Sequence, residues 1–196
     1  SRFANVSAST GLDFLDDGRC VSVTDWDHDG DLDLWLHNRS SPRLRFMRNE
    51  TSAMEGGSGF VAMRLRGTSC NRDGIGARVE VHLKDQSRGR LIQTLFGGDA
   101  YLSQSSKWLH FGLGTNPQID FVTVRWPGGE LEKFTDILPD RFYMIEQDSG
   151  LAVEWHRPTQ SSNFSPSLQQ RIKPKQEAHV LLPDRFLMPR LPYTLF

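Results

Sequence analysis

Asp25, Asp27, Asp29, Asp31 and Asp33 fall on alternate positions of one short stretch, Asp25-Trp26-Asp27-His28-Asp29-Gly30-Asp31-Leu32-Asp33. Alternate carboxylates on a tight turn converge on one point, and like charges so close repel unless a cation lies among them. Ca2+ suits such a set, because it takes roughly six to eight oxygen ligands in flexible geometry. Asp25, Asp27, Asp29 and Asp33 are expected as side-chain ligands. Asp31, at the seventh position, is expected to offer its backbone carbonyl. Gly30 lets the chain turn where a Cβ would obstruct it. The competing reading is a solvated acidic turn that holds no metal.

The elements around this turn decide what kind of site it is. An EF-hand needs a bidentate Glu at its twelfth position, and counting from Asp25 that position is Leu36. An EF-hand also needs flanking helices. Here Cys20-Val21-Ser22-Val23-Thr24 precedes the turn and Leu32-Asp33-Leu34-Trp35-Leu36 follows it. Both are short and rich in β-branched or aromatic members, so both read as strands. The expectation is a calcium turn between two β-strands.

Other residues could do chemistry, and each has a plainer role. His110 beside Phe111 could be a base but would need a partner in space; a structural histidine is the favoured reading. Ser103, Ser105 and Ser106 lack a nucleophile elbow and read as a turn. Asn71 and Asp73 with Gly74 could form a second cation site, or a turn capped by its own side chains. Arg72 and Arg78 are expected to pair with carboxylates or cover apolar surface. Trp108 and Trp126 could stack on a sugar, but packing is the default. His28, Arg39 and Arg43 near the acidic turn are expected to be solvated. Cys20 and Cys70 fit no zinc or redox spacing. They read either as a disulfide in an exported chain or as two small half-buried residues.

With 196 residues the chain can build one or two domains. No apolar run approaches the ~20 residues of a membrane span. No signal peptide opens the chain, and Ser1 in place of Met reads as a mature form, a proteolytic product or an excised piece. The net charge of −1 argues against a dedicated nucleic-acid binder. Charge is uneven: residues 1–150 hold 17 basic and 21 acidic residues, whereas residues 151–196 hold 6 and 3.

Four regions are expected. Residues 1–50 carry a polar, turn-rich start, then strand, calcium turn, strand and a third strand at Leu44–Met47. Residues 51–59, with Gly56-Gly57-Ser58-Gly59, read as a joint. Residues 60–148 hold about seven short strands broken by Gly, Pro and Asn, the spacing of an all-β sandwich or barrel. Pro127-Gly128-Gly129 predicts a hairpin joining Phe121–Trp126 to Glu130–Phe134. A helix turn is expected near Ser103–Lys107. Residues 149–196 contain six prolines and apolar anchors such as Val180-Leu181-Leu182 and Phe186-Leu187-Met188. They read as an extended strap on the sandwich or a segment awaiting a partner. An end on Leu195-Phe196 reads as a buried end or a chain that continues in a parent protein.

Two family resemblances attach to these residues. Cys20 to Asn38 resembles an FG-GAP (VCBS) repeat, the calcium-binding unit of integrin-type β-propellers, and Phe3–Val6 through Gly11-Leu12 resembles the lead-in to such repeats. Asn71-Arg72-Asp73-Gly74-Ile75-Gly76-Ala77-Arg78-Val79 resembles the hallmark of the ASPIC/UnbV domain. So do Gly98, Tyr101–Ser106, His110-Phe111-Gly112-Leu113-Gly114 and Val124–Gly129, in the family's order over about residues 60–148. In that family the domain follows a propeller of FG-GAP repeats, whereas this chain holds one recognisable repeat. A single blade cannot bury both faces alone. The chain is therefore expected to be part of a longer protein, or its lone repeat docks on the sandwich.

The expected fold is all-β, a β-sandwich-like domain preceded by a partial propeller-type repeat and followed by an extended Pro-rich tail. The expected function is a calcium-stabilised, non-catalytic binding or assembly module, secreted, periplasmic or on the cell surface. Another protein or a glycan would be its partner, with no nucleic acid and no membrane span, and it could be a subunit of a larger assembly. The rival readings are an accessory or fragment of a larger hydrolase or redox enzyme, and a carbohydrate-binding module.

Overall fold

Period-two alternation turns one row of side chains from each strand inward, and two sheets close over those rows. The structure, a computed structural model, describes residues 3–51, 59–85, 87, 89–115 and 117–158. Strand β4 (Gly59–Arg66) buries Val61, Met63 and Leu65; β5 (Arg78–Leu83) buries Val79, Val81 and Leu83. Strand β7 (Leu109–Gly114) adds Leu109, Phe111 and Leu113, and β8 (Ile119–Arg125) adds Ile119, Val122 and Val124. Trp126, Phe134, Tyr143 and Ile145 complete one core. Each such side chain contributes roughly 1.5–3 kcal/mol when buried.

With β6 (Arg90–Thr94), β9 (Leu131–Phe134), β10 (Arg141–Glu146) and β11 (Ala152–Trp155), the two four-stranded sheets run β11-β10-β4-β7 and β6-β5-β8-β9. The described residues are thus nearly all β, as the alternation predicts. The expected hairpin is present: β8 pairs antiparallel with β9 across Pro127-Gly128-Gly129, and both glycines have positive φ (117° and 101°). One pairing is parallel, β4 with β10. A parallel pair needs a long crossover, and here the whole second sheet and β7 lie between its two strands.

A third sheet precedes these. Strands β1 (Gly18–Thr24), β2 (Asp33–Asn38) and β3 (Leu44–Met47) pair antiparallel in the order β1-β2-β3. The edge strand β1 is covered from the sandwich. Ser103 Oγ donates to the Val21 carbonyl (2.6 Å), the Val23 amide donates to Ser105 Oγ (3.2 Å), and the Ser106 amide donates to the Val23 carbonyl (3.0 Å). The helix turn expected at Ser103–Lys107 is therefore absent. These hydroxyl and amide groups bond outward to β1, which competes with local helical bonding. A four-residue helix, α1 (Ser7–Thr10), forms instead in the stretch read as turns, and Gly11 ends it at φ 71°. Strand β11 lies beyond residue 148, where the sandwich was expected to stop, and pairs antiparallel with β10. The joint at 52–58 and the apolar anchors after residue 158 lie outside the described residues.

Candidate metal centre

The acidic turn links the end of β1 to the start of β2. His28 (φ 58°) and Gly30 (φ 96°) both adopt left-handed backbone, which reverses the chain within a few residues. Gly30 is also a packing requirement. A Cβ built there would come within 2.3 Å of the Phe60 ring.

The turn brings three of the five predicted carboxylates together. Ligand atoms of Asp25, Asp27 and Asp29 all lie within 4.8 Å of one another. At that separation each charged pair repels by roughly 3 kcal/mol or more for an effective dielectric of about 20. Asp25 is buried, and its two oxygens accept the amides of Asp29 (3.2 Å) and Gly30 (3.0 Å). Asp29 Oδ1 accepts the Asp31 amide (2.9 Å). Asp27 Oδ1 is buried without a hydrogen-bond partner. Burial pushes the Asp25 carboxyl up to about 7, and the nearby Asp29 charge adds to it. Burial also raises Asp29, helped by Asp27, Asp31 and Asp33. Such a cluster loses free energy by holding negative charge, and a cation would relieve the loss.

Asp33 stands apart from this trio. It is fully buried, with Oδ2 accepting the Trp26 amide and Oδ1 accepting the Asn49 amide, both at 2.9 Å. Its carboxylate therefore ties the start of the turn to the segment after β3. Asp31 is half-buried and enters the cluster through its amide.

Arg48 is the residue that sequence reasoning passed over. Its guanidinium lies 2.7 Å from Asp27 Oδ2, 3.8 Å from Asp29 Oδ2 and 3.6 Å from Glu50. No local signal marks it: the register, in which Leu34 pairs with Met47, is what brings the next residue after β3 beside the turn.

Sandwich residues clamp the turn from the other side. His110 Nε2 donates to the Gly30 carbonyl (2.9 Å), and its ring stacks on Phe60 with centroids 5.2 Å apart. Arg157 Nη1 donates to the Asp27 carbonyl (3.0 Å). His28 is not solvated as expected. Its ring meets Phe142 (5.2 Å) and Trp155 (4.8 Å) edge-on, with Trp108 at 6.4 Å. With this positive φ the imidazole faces the sandwich rather than water. Burial lowers the basicity of both histidines, with the Arg157 charge adding to the effect at His28.

The remaining candidates take structural roles. Asn71 bonds Ile75 in both directions at 2.8 Å, capping its own turn, and Asp73 pairs with Lys107 at 2.5 Å. Trp126 is core, while Trp108 packs on Phe142 and Trp155. Arg72 lies 3.6 Å from Asp73 and Arg78 3.0 Å from Glu80. Arg39 and Arg43 are exposed. Cys20 and Cys70 are both free thiols, each half-buried.

Residues 67–152 match the ASPIC and UnbV family model. The ASPIC and UnbV match runs from the loop after β4 to the first residue of β11, so the aspartate turn and its small sheet lie before it. Cartilage acidic protein 1 of Mus musculus and of Homo sapiens are each 36% identical to this chain over 110 residues, 56% of this chain and 16% of theirs. The Xenopus tropicalis protein of the same name is 33% identical over 118 residues, 59% of this chain and 17% of its own length. The chain thus spans about a sixth of the length of the curated relatives it matches.

Proposed function

We propose that the aspartate turn is a calcium site that braces a non-catalytic binding or assembly module working outside the cytosol. The observation that carries this reading is the convergence of Asp25, Asp27 and Asp29 within 4.8 Å, with one Asp27 oxygen buried and unpartnered. These three side chains would hold the ion and the Asp31 carbonyl would add to them. Asp33 would anchor the turn rather than ligate. A bound Ca2+ would neutralise the trio, and its binding free energy would become folding free energy. The resemblance of Cys20–Asn38 to an FG-GAP repeat supports the same ion. A weak site of this kind fills where calcium is millimolar, which favours an exported chain.

The non-catalytic part rests on what the reactive candidates are doing. His110 Nε2–H is taken up in a hydrogen bond to a backbone carbonyl. Ser103 and Ser105 hold the edge of β1. Similarity to cartilage acidic protein 1 supports a protein partner or an assembly role, in which the sandwich positions the small sheet. No helix among the described residues is long and apolar enough to cross a membrane.

The test is calcium titration of the full chain by calorimetry, together with thermal unfolding in calcium and in chelator. Saturable binding and a higher Tm in calcium are expected. Identical unfolding curves and no heat of binding would reject the calcium reading.

A further inference from the structure

The sheet β6-β5-β8-β9 turns Val79, Val81, Val122 and Val124 to the core, so the alternate residues of the same strands form its outer face. That face carries Arg78, Glu80 and His82 from β5, Arg90 from β6, Phe121 and Arg125 from β8, and Lys133 from β9. Several of these side chains line a shallow recess of about 290 Å³.

Its charge is one-sided. Register sets Arg78 directly opposite Arg125 on the neighbouring strand, and like charges so placed destabilise a sheet. Among the described residues Glu80 is the one carboxylate lining the recess, and it is shared by Arg78 (3.0 Å), Arg90 (3.1 Å) and His82 (3.7 Å). Arg125 donates to the Gly129 carbonyl (3.3 Å), and Lys133 lies over the Phe121 ring (3.8 Å). This face therefore carries four permanent cations, of which Arg78 and Arg90 share the Glu80 carboxylate, in a chain whose net charge is −1.

We propose that this face binds a sulfated glycan chain. Three of the four cations are arginines, whose planar forks take sulfate or carboxylate oxygens two at a time. An anion bridging Arg78 and Arg125 would remove the cross-strand repulsion. A flat sheet face suits an extended linear polyanion laid across several strands. Single-stranded nucleic acid fits less well, because it binds by stacking bases on free aromatic rings. Of the rings on this face, Phe121 is already covered by stacked His82 (4.2 Å) and by Lys133.

This inference goes beyond the calcium reading and does not rest on it. The aspartate turn meets the other sheet, through Phe60 of β4, His110 of β7, Phe142 of β10 and Trp155 of β11.

The experiment measures binding of the full chain to heparin and to chondroitin sulfate at about 0.1 M salt, in calcium and in chelator. An empty aspartate turn and an empty basic face then appear as separate results. The variant Arg90→Glu/Arg125→Glu is compared with Arg39→Glu/Arg43→Glu, which makes the same charge change at exposed positions by the small sheet. Circular dichroism and Tm confirm folding, and Arg90→Gln/Arg125→Gln replaces the reversal variant should that fail to fold. Salt-sensitive binding, weakened at least tenfold by the face variant and less than twofold by the control, is expected. No binding to either glycan, equal loss in both variants, or tighter binding to single-stranded DNA or to an acidic protein overturns the proposal.

Discussion

The Nε2 of His110 donates to the carbonyl oxygen of Gly30 across 2.9 Å, joining the centre of the aspartate turn to strand β7 of the sandwich. Because a carbonyl can only accept, the proton sits on Nε2 and the neutral ring suffices. Phe60 stacks on that imidazole and occupies the space a Cβ of residue 30 would need. The small sheet, which cannot bury both faces alone, is held by this contact and by the Ser103–Ser106 segment along β1.

His110→Ala removes the bond and leaves the Gly30 carbonyl under the sandwich. A loss of about 1–3 kcal/mol is expected, or roughly 2–12 °C in Tm for a chain of this size. Denaturant and thermal unfolding measure it. An unchanged midpoint would mean that the contact does not hold the turn.

Stability should also depend on pH through this ring. Burial depresses the His110 pKa in the fold, while the unfolded chain keeps the ordinary value of about 6.5. As pH falls through about 6.5 the unfolded state takes up a proton that the folded state refuses, so stability falls. The contribution is fully present above about 6.5 and declines below it until the depressed folded pKa is reached. Tm measured from about pH 8 down to about pH 5 should therefore drop more steeply for the native chain than for His110→Gln. Parallel curves would show that His110 does not titrate in this way.

Asp27→Asn and Asp33→Asn should behave differently, although the two residues look alike in the spacing. With calcium at about 100 times its Kd, binding adds about 2.7 kcal/mol, or roughly 5–11 °C in Tm. Asp27→Asn should abolish most of that increment while changing the chelated protein little. Asp33→Asn should lower Tm in calcium and in chelator alike. Its amide turns an N–H toward one of two backbone donors that now meet carboxylate oxygens, at a cost of about 1–3 kcal/mol. If Asp33→Asn instead erased the calcium increment alone, Asp33 would be a ligand and the assignment of the turn would be wrong.

These contrasts mark what could be read along the chain and what could not. Local signals carried far: alternation gives β4 and β5, and Pro127-Gly128-Gly129 gives the β8–β9 hairpin, because each depends on neighbouring residues. The parallel β4–β10 pair has no local signal, since the whole second sheet intervenes. The difference between Asp27 and Asp33 is also invisible in spacing. It arises because Asp33 opens β2 between the Trp26 and Asn49 amides, which both need an acceptor. His28 reads as a polar loop residue, whereas in the fold it has left-handed backbone and its ring lies among Trp108, Phe142 and Trp155. The serines of 103–106 look like a turn until β1 is placed beside them.

Arg48 supplies the last prediction. Its guanidinium lies 2.7 Å from Asp27 and 3.8 Å from Asp29, so it shields the same carboxylates that a cation would neutralise. Arg48→Gln removes that shielding at near-constant size. The chelated protein should lose stability, because the trio then repels without a counter-charge. Calcium should in turn raise Tm by more than it does in the native chain, since the ion no longer competes with a fixed positive charge. The measurement is Tm against calcium concentration for both proteins. A smaller calcium increment in Arg48→Gln would mean that Arg48 assists the ion rather than substitutes for it, and the counter-charge role drawn for it would have to be abandoned.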